Sequence, residues 1–265
     1  MRTRRTPYDR VVDTGVQRRI KFKDACRNNR IDVVYRMRPH MQFLGLTDGL
    51  WQATLAGHHL IIRYLLKHIT SRYKEEMDNF NMLLYMNTAV ADGYVTVVQT
   101  YLAAGIRPHG TTFLRACESG SVEMLKLVHS TSDCLVSYCP ESALKEACEC
   151  GENCVEMTRY LLDTFGDIMR RHVKDVMHSA CEHHTLPLID LLERYADEQA
   201  LKVALQSSIW AGHLDLCRRF ITPERITVDC MMAACAKGFD EIIDELIARG
   251  CNYFKSGLWS ALNWG

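Results

Sequence analysis

The sequence contains little proline and no long apolar run. Only 6 of its 265 residues are proline, so helices can form with few interruptions. No apolar stretch approaches the roughly 20 residues that a membrane-spanning helix needs, and the opening Met1–Pro7 is not followed by the apolar block of a signal peptide. These absences predict a cytoplasmic or nuclear protein, in a reducing environment, that does not bind a membrane.

An excess of either charge is also missing. The chain holds 32 Lys and Arg against 32 Asp and Glu, which argues against binding of nucleic acid or a membrane surface by the chain as a whole. A hydrophobic content of 48% is enough for a sizeable core and excludes a disordered chain. The 12 cysteines are too sparse for a small secreted disulfide framework, so we expect reduced thiols.

What the sequence does contain is a short pattern that occurs nine times. Each copy begins with an alanine or, once, a serine. In most copies the next residue is small, and in most copies glycine stands four positions after the alanine. The 236 residues from Ala25 to Ala261, divided among eight intervals, give a mean period of 29.5 residues. The clearest copies are Ala53–Gly57, Ala89–Gly93, Ala116–Gly120, Ala147–Gly151 and Ala234–Gly238, and weaker copies begin at Ala25, Ala180, Ser208 and Ala261.

Apolar residues on both sides of this pattern predict two helices in each repeat. An apolar residue three positions before each alanine marks a short first helix, and apolar pairs after the glycine, such as Ile61-Ile62 and Leu65-Leu66, mark a second helix. Neither helix can bury its apolar face alone, so stacked repeats would share one elongated core. Close packing of neighbouring first helices explains the alanine and the small residue after it, and we expect the cysteines there to be buried: Cys26, Cys117, Cys148, Cys181 and Cys235.

These residues resemble the ankyrin repeat. Gly57-His58 and Gly212-His213 match its turn, and Leu102–Gly105 and Ile247–Cys251 match its closing Gly-Ala segment. The resemblance implies an all-α fold, an ankyrin-type α-solenoid of about eight stacked helix-turn-helix units plus a partial ninth. Little or no strand is expected, because several repeats are shorter than the usual ~33 residues. No copy carries the Thr-Pro-Leu-His of a standard ankyrin first helix. These degenerate, cysteine-rich units resemble the ankyrin proteins of large DNA viruses of amoebae and of protists.

We predict a basic N-terminal arm or cap over residues 1–19 and a solenoid over residues 20–265, in one domain. Residues 1–38 hold 12 Arg and Lys against 4 Asp and Glu, a net charge of +8. This segment is either a solubilising cap over the first repeat or an arm for nuclear import or nucleic-acid binding.

The ankyrin resemblance also implies a binding surface. In that family the two positions after the paired alanines lie on a concave surface that contacts partner proteins. Glu118, Glu149 and Glu182 follow Ala-Cys in three successive repeats and form a predicted acidic ladder, for which a solvated acidic face is the alternative. An exposed Trp210 beside charges is typical of an interaction hot spot, whereas packing against a neighbouring helix is its structural alternative. The predicted strip comprises Arg27, Asn28, Leu55, Asp92, Glu118, Ser119, Glu149, Glu182, His183, Trp210 and Lys237.

No catalytic or cofactor motif is found in the sequence. It has no glycine-rich phosphate loop, no His-Glu-x-x-His, no calcium loop and no nucleophile elbow. Cys148, Cys150 and Cys154, with Cys134 and Cys139, form the one candidate zinc site, but residues two apart on a helix point in nearly opposite directions and Cys148 is assigned to the core. His183 and His184, beside Glu182, are interpreted as solvated residues of a turn rather than as metal ligands.

The leading hypothesis is a monomeric, non-enzymatic scaffold without metal or cofactor. It would bind another protein, one with a basic segment, through the rigid surface that the strip forms. The alternative is a nuclear or nucleic-acid-associated factor that acts through the basic arm, and a third possibility is a thiol or zinc site around Cys150.

Overall fold

The fold is all-helical. The computed structural model describes residues 7–73, 79–131 and 139–264. Over these three ranges the chain forms eighteen α-helices and no β-strand. The predicted all-helical class is therefore confirmed. The chain divides into two compact halves, an N-terminal half, Met1–Leu135, and a C-terminal half, Val136–Gly265.

The N-terminal half contains four helix pairs. A short 3-10 turn, Arg38–His40, follows the first pair. The predicted boundary between arm and solenoid, at residue 20, lies inside the first helix. The four pairs are α1 (Pro7–Arg27) with α2 (Ile31–Met37), α3 (Phe43–Leu55) with α4 (His59–Arg72), α5 (Asn79–Ala91) with α6 (Val95–Ala103), and α7 (Gly110–Glu118) with α8 (Val122–His129).

The C-terminal half contains four further pairs and a single last helix. A four-residue helix, α11 (Asp167–Arg170), follows the first of these pairs, and α18 (Phe254–Trp264) stands alone after the last. This order agrees with eight units and a partial ninth. The pairs are α9 (Pro140–Glu149) with α10 (Cys154–Phe165), α12 (Val173–Glu182) with α13 (Leu186–Glu193), α14 (Glu198–Ala211) with α15 (Leu214–Phe220), and α16 (Val228–Lys237) with α17 (Asp240–Ala248).

The recurring alanine and glycine form the turn between the two helices. Gly57 has a φ of +72°, a left-handed conformation that glycine adopts without steric cost. Its N–H donates to the Thr54 carbonyl and the next N–H, of His58, donates to the Ala53 carbonyl, which is the Schellman arrangement of a helix C-terminus. In this motif the helix residue whose carbonyl accepts the last bond stands four positions before the left-handed residue, and alanine and glycine occupy these two positions. In the two weak copies without glycine, Asn29 and His184 take the left-handed position, each with a φ of +54°.

The Gly-His turns also join successive repeats. The Nε2–H of His58 donates to the Arg27 carbonyl (2.9 Å), at the end of the first helix of the preceding repeat. His213 contacts the Glu182 carbonyl in the same way (3.2 Å). Each imidazole thus satisfies a carbonyl that a helix terminus would otherwise leave unpaired.

Within each half, first helices pack on first helices and second helices pack on second helices. In the N-terminal half α1, α3, α5 and α7 form one row, and α2, α4, α6 and α8 form another. The apolar residue three positions before the repeat alanine is at most 1% exposed in each of the first eight repeats. The equivalent residue of the ninth, Leu258, is 65% exposed, and no second helix follows α18 within the described residues.

The cysteines next to the repeat alanine are buried to different degrees. Cys26, Cys117 and Cys181 are fully buried, whereas Cys148 and Cys235 are half-buried. The facing residue of the next first helix does not by itself explain this difference, because Cys26 and Cys235 both pack against a glycine, Gly49 and Gly257. Within the described ranges, the cysteines form no disulfide bond.

Burial predicts that these thiols react slowly. It raises the pKa of Cys26, Cys148 and Cys217 to about 12 and that of Cys181 to about 11. Because the thiolate is the reactive species, we expect these thiols of the native protein to react with a disulfide reagent more slowly than free cysteine at neutral pH, roughly a hundredfold for Cys181 and roughly a thousandfold for the other three. Peptide mapping of the labelled protein measures this, with the denatured chain as the fast control. Equal rates in the native and denatured protein would contradict the burial.

Candidate functional site

The predicted strip lies at the C-terminal ends of the first helices. In the first six repeats the repeat alanine is the third residue from the end of its helix, so the positions two and three residues later are the last residue and the cap, whereas α14 and α16 extend one residue further. The eleven strip residues are exposed, except Ser119, which is half-buried. Exposure makes them available for binding, and their neighbours differ between the two halves.

In the N-terminal half, several strip side chains bond to their own helix. The guanidinium of Arg115 pairs with the Glu118 carboxylate (2.6 Å), and the Ser119 hydroxyl donates to the Ala116 carbonyl (2.8 Å). The Asn28 amide donates to the Asp24 carbonyl (2.7 Å). Leu55, by contrast, is 40% exposed.

In the C-terminal half, the strip forms a groove around Trp210. The indole of Trp210, on α14, is 55% exposed. It lines a groove of about 540 Å³ together with Met232 and Ala236 of α16 and Ser260 of α18. The Lys237 ammonium lies 5.6 Å from the centre of the indole ring, within the range of a cation–π contact. The groove therefore combines an aromatic wall, apolar contacts and one cation.

A second depression, of about 350 Å³, adjoins the other side of Trp210. Glu182 and His178 of α12 line it, with Trp210 and Lys237. The His178 Nδ1 hydrogen-bonds to the Ser207 hydroxyl (2.6 Å), and its Nε2 lies 3.6 Å from a carboxylate oxygen of Glu182. The structure thus brings three of the predicted strip residues, Glu182, Trp210 and Lys237, into adjoining depressions.

The remaining strip residues of this half line a third depression. Glu149 and His183 border a space of about 400 Å³ with Cys148 and Ser179. Within the described ranges, the Glu149 carboxylate has no ion-pair partner. Glu118 belongs to the other half, so continuity of the acidic ladder from Glu118 to Glu149 stays a prediction.

Six groove residues were absent from the predicted strip, among them Ala233 and Ala236. Gln206 and Met232 lie two positions before Ser208 and Ala234, the serine and the alanine of their repeats. Asp229 lies five positions before Ala234, and Ser260 lies one position before Ala261. Positions two before and two after the alanine are four residues apart, so they lie on one face of a helix. An alignment of the position two before the alanine would have identified His178, Gln206 and Met232 from the sequence.

The basic segment is partly neutralised where the structure describes it. Arg19 and Lys23 of α1 share one acidic partner on α3, Asp48, with nitrogen–oxygen distances of 2.5 and 4.0 Å. The predicted arm residues Arg2, Arg4 and Arg5 lie outside the described ranges. This pairing lowers the positive charge that α1 offers to a nucleic acid.

The candidate zinc ligands bond elsewhere. The Cys148 thiol contacts the Thr158 hydroxyl (3.4 Å), and the Cys150 thiol donates to the Ala147 carbonyl (3.1 Å). In the part of the chain that the structure describes, no three His, Cys, Asp or Glu side chains are grouped to hold a metal ion. Cys134 lies outside that part.

None of the described helices is both long enough and apolar enough to span a bilayer.

Comparisons with known proteins identify no family. No protein-family model matches the sequence, and no match is found among curated proteins. The likeness to ankyrin repeats therefore depends on the residues themselves, above all on the recurring alanine and glycine and on the Gly-His turns.

Proposed function

We propose that this chain is a non-enzymatic scaffold, an ankyrin-type solenoid that binds another protein through the first-helix strip. The observation that carries the proposal is the exposed Trp210 at the junction of two adjoining depressions. Tryptophan at the centre of a contact surface contributes far more binding energy than most residues do. A solvent-exposed indole next to small residues such as Ala236 is arranged to receive an apolar side chain of a partner.

The charges beside Trp210 favour a partner with a basic segment. Glu182 lies on one side of the indole and Asp229 lies on the other, and Glu149 lies one first helix further along. Lys237 lines both depressions and covers part of the indole face. A partner segment that places an apolar residue against Trp210 and a Lys or Arg near Glu182 satisfies both features.

A binding role is also favoured over catalysis by the chemistry of the thiols. Burial raises the pKa of Cys148 and Cys181, so these groups are protonated and poorly nucleophilic at neutral pH. Two exposed acidic side chains of the strip lie beside basic residues, Glu118 beside Arg115 and Glu182 beside His178.

Affinity purification with quantitative mass spectrometry tests the proposal. The full chain and a Trp210→Ala variant are each used as bait, with Leu186→Ala as the control, because Leu186 is an exposed apolar residue on a second helix of the same half. The proposal expects a protein that the native chain and the control enrich and the Trp210 variant does not. Equal enrichment by all three baits would contradict it.

Charge reversal separates the acidic ladder from the aromatic anchor. Replacing Glu118, Glu149 and Glu182 by lysine is expected to slow association with a basic partner on the order of tenfold and to weaken its salt dependence, because steering is lost. Stopped-flow association at several salt concentrations measures both effects. The matched control reverses three exposed acids on second helices: Glu123, Glu156 and Asp244. If both triple variants slow association equally, net charge and not the ladder is responsible.

A further inference from the structure

A second groove lies on the second-helix row of the N-terminal half. It has a volume of about 510 Å³ and runs between α4 and α6. One wall carries three basic side chains of α4, and the other carries short polar side chains of α6. The residues that matter here are His59, Arg63 and Lys67 on α4 and Thr96, Gln99 and Thr100 on α6.

Helical periodicity places the three basic residues in one line. His59, Arg63 and Lys67 are each four residues apart, so they lie on one face of α4, and all three are exposed. The apolar face of α4 is buried in the core through Ile61, Ile62, Leu65, Leu66 and Ile69. The basic line therefore borders the groove, and the short threonines of α6 leave it open.

Among the described residues, none that lines this groove is acidic. Helix α4 contains no Asp or Glu, and α6 contains no charged residue. Within the described ranges, neither Arg63 nor Lys67 forms an ion pair, whereas arginines elsewhere do, as in Arg19 with Asp48 and Arg225 with Glu198. Two like charges one helical turn apart repel each other, and an anionic ligand would relieve that repulsion.

We propose that this groove binds an acidic segment of a partner protein. The guanidinium of Arg63 can hold one carboxylate through two parallel hydrogen bonds, and the ammonium of Lys67 holds a second. Residues one helical turn apart are separated by roughly 5–6 Å, close to the spacing of alternate residues in an extended strand. The fitting segment therefore carries Asp or Glu at alternate positions. The site is formed by second helices of the N-terminal half, whereas first helices of the C-terminal half form the Trp210 groove. It selects the opposite charge, so it extends the proposed function.

Fluorescence anisotropy with the full chain tests this site. The probe is a labelled decapeptide with alternating glutamate, compared with the same peptide in which glutamine replaces glutamate. We expect the acidic peptide to bind at least about tenfold more tightly, with the difference reduced by salt. Equal affinity for the two peptides would overturn the proposal.

Matched variants assign the binding to the groove. The double variant Arg63→Gln with Lys67→Gln is expected to weaken the acidic peptide about tenfold. Arg159→Gln with Lys174→Gln makes the same change in net charge at exposed sites of the other half and should leave the affinity unchanged. Thr96→Glu, which adds a carboxylate to the opposite wall, should weaken binding while both basic residues remain. Equal effects of the two double variants would overturn the proposal.

Two further measurements decide the class of ligand. A phosphopeptide and a single-stranded oligonucleotide are titrated under the same conditions. Tighter binding of either one than of the acidic peptide, lost in the Arg63 and Lys67 variant, would overturn the proposal and assign the groove to phosphate. Trp210→Ala should leave the affinity for the acidic peptide unchanged, so failure of this proposal and failure of the proposed function are separable.

Discussion

Replacing Trp210 by alanine is expected to weaken binding of the protein partner by at least about 2 kcal/mol, roughly thirtyfold, mainly through faster dissociation. The indole borders both depressions, so its removal takes away the apolar contact that they share. Surface plasmon resonance against the partner gives the two rate constants. Because the indole is 55% exposed, the melting temperature of the variant should stay close to that of the native chain.

Leu186→Ala is the control for this change. Leu186 is 40% exposed on α13, away from the first-helix strip, and its truncation should change neither binding nor melting. If Trp210→Ala lowers the melting temperature and leaves partner binding intact, Trp210 is a packing residue and the strip does not bind through it.

The turn between paired helices could be predicted from the sequence because its determinants are local. Ala53 is fully buried at the end of α3, Gly57 is left-handed, and the two backbone hydrogen bonds of the turn, from Gly57 N–H to the Thr54 carbonyl and from His58 N–H to the Ala53 carbonyl, lie within residues 53–58. His184 shows how a weak copy is maintained without glycine. Its Nε2–H donates to the Asp215 carboxylate (2.8 Å), and its ring stacks on that of His213 at 4.4 Å. These contacts hold a non-glycine residue in a conformation that is otherwise unfavourable.

The extent of burial next to the repeat alanine could not be predicted, because it depends on the next repeat. Cys117 and Cys235 occupy the same repeat position, yet only Cys117 is fully buried. Cys26 and Cys235 both face a glycine of the next first helix, Gly49 and Gly257, yet Cys26 is fully buried and Cys235 is half-buried. A repeat pattern therefore identifies which positions face a neighbouring repeat, but it does not give how much of each side chain the packed helices cover.

The candidate sites show the same limit. The sequence identified Trp210 and Glu182 as exposed residues of one face, and the structure places both beside one depression. The groove itself also needs Ala236 and Met232 of the next repeat. The pattern within one repeat does not show which residues of the next repeat lie beside it. The basic groove of α4 and α6 was missed because the repeat alignment used only the buried positions of the second helices, and Arg63 and Lys67 occupy their exposed positions.

Two glycines on α3 should respond in opposite directions to the same substitution. Gly45 and Gly49 are both buried and lie one helical turn apart. A β-carbon added at Gly45 would lie 3.2 Å from the flexible Sδ of Met41, whereas one added at Gly49 would lie 2.5 Å from Cε1 of Phe22. Phe22 is fully buried, so its ring has no free space into which to move.

We therefore expect Gly45→Ala to increase the free energy of unfolding by about 0.5–1 kcal/mol, because alanine loses less backbone entropy in a helix. Gly49→Ala should decrease it by about 1–3 kcal/mol, because overpacking between α1 and α3 exceeds that gain. Urea unfolding, followed by circular dichroism, measures both. Adding Phe22→Leu to Gly49→Ala should make the double variant more stable than the sum of the two single changes predicts, since the clash requires both side chains. If both alanine substitutions stabilise the protein, or if the effects of Gly49→Ala and Phe22→Leu are strictly additive, then α1 and α3 do not pack closely enough for Phe22 to clash with a β-carbon at position 49.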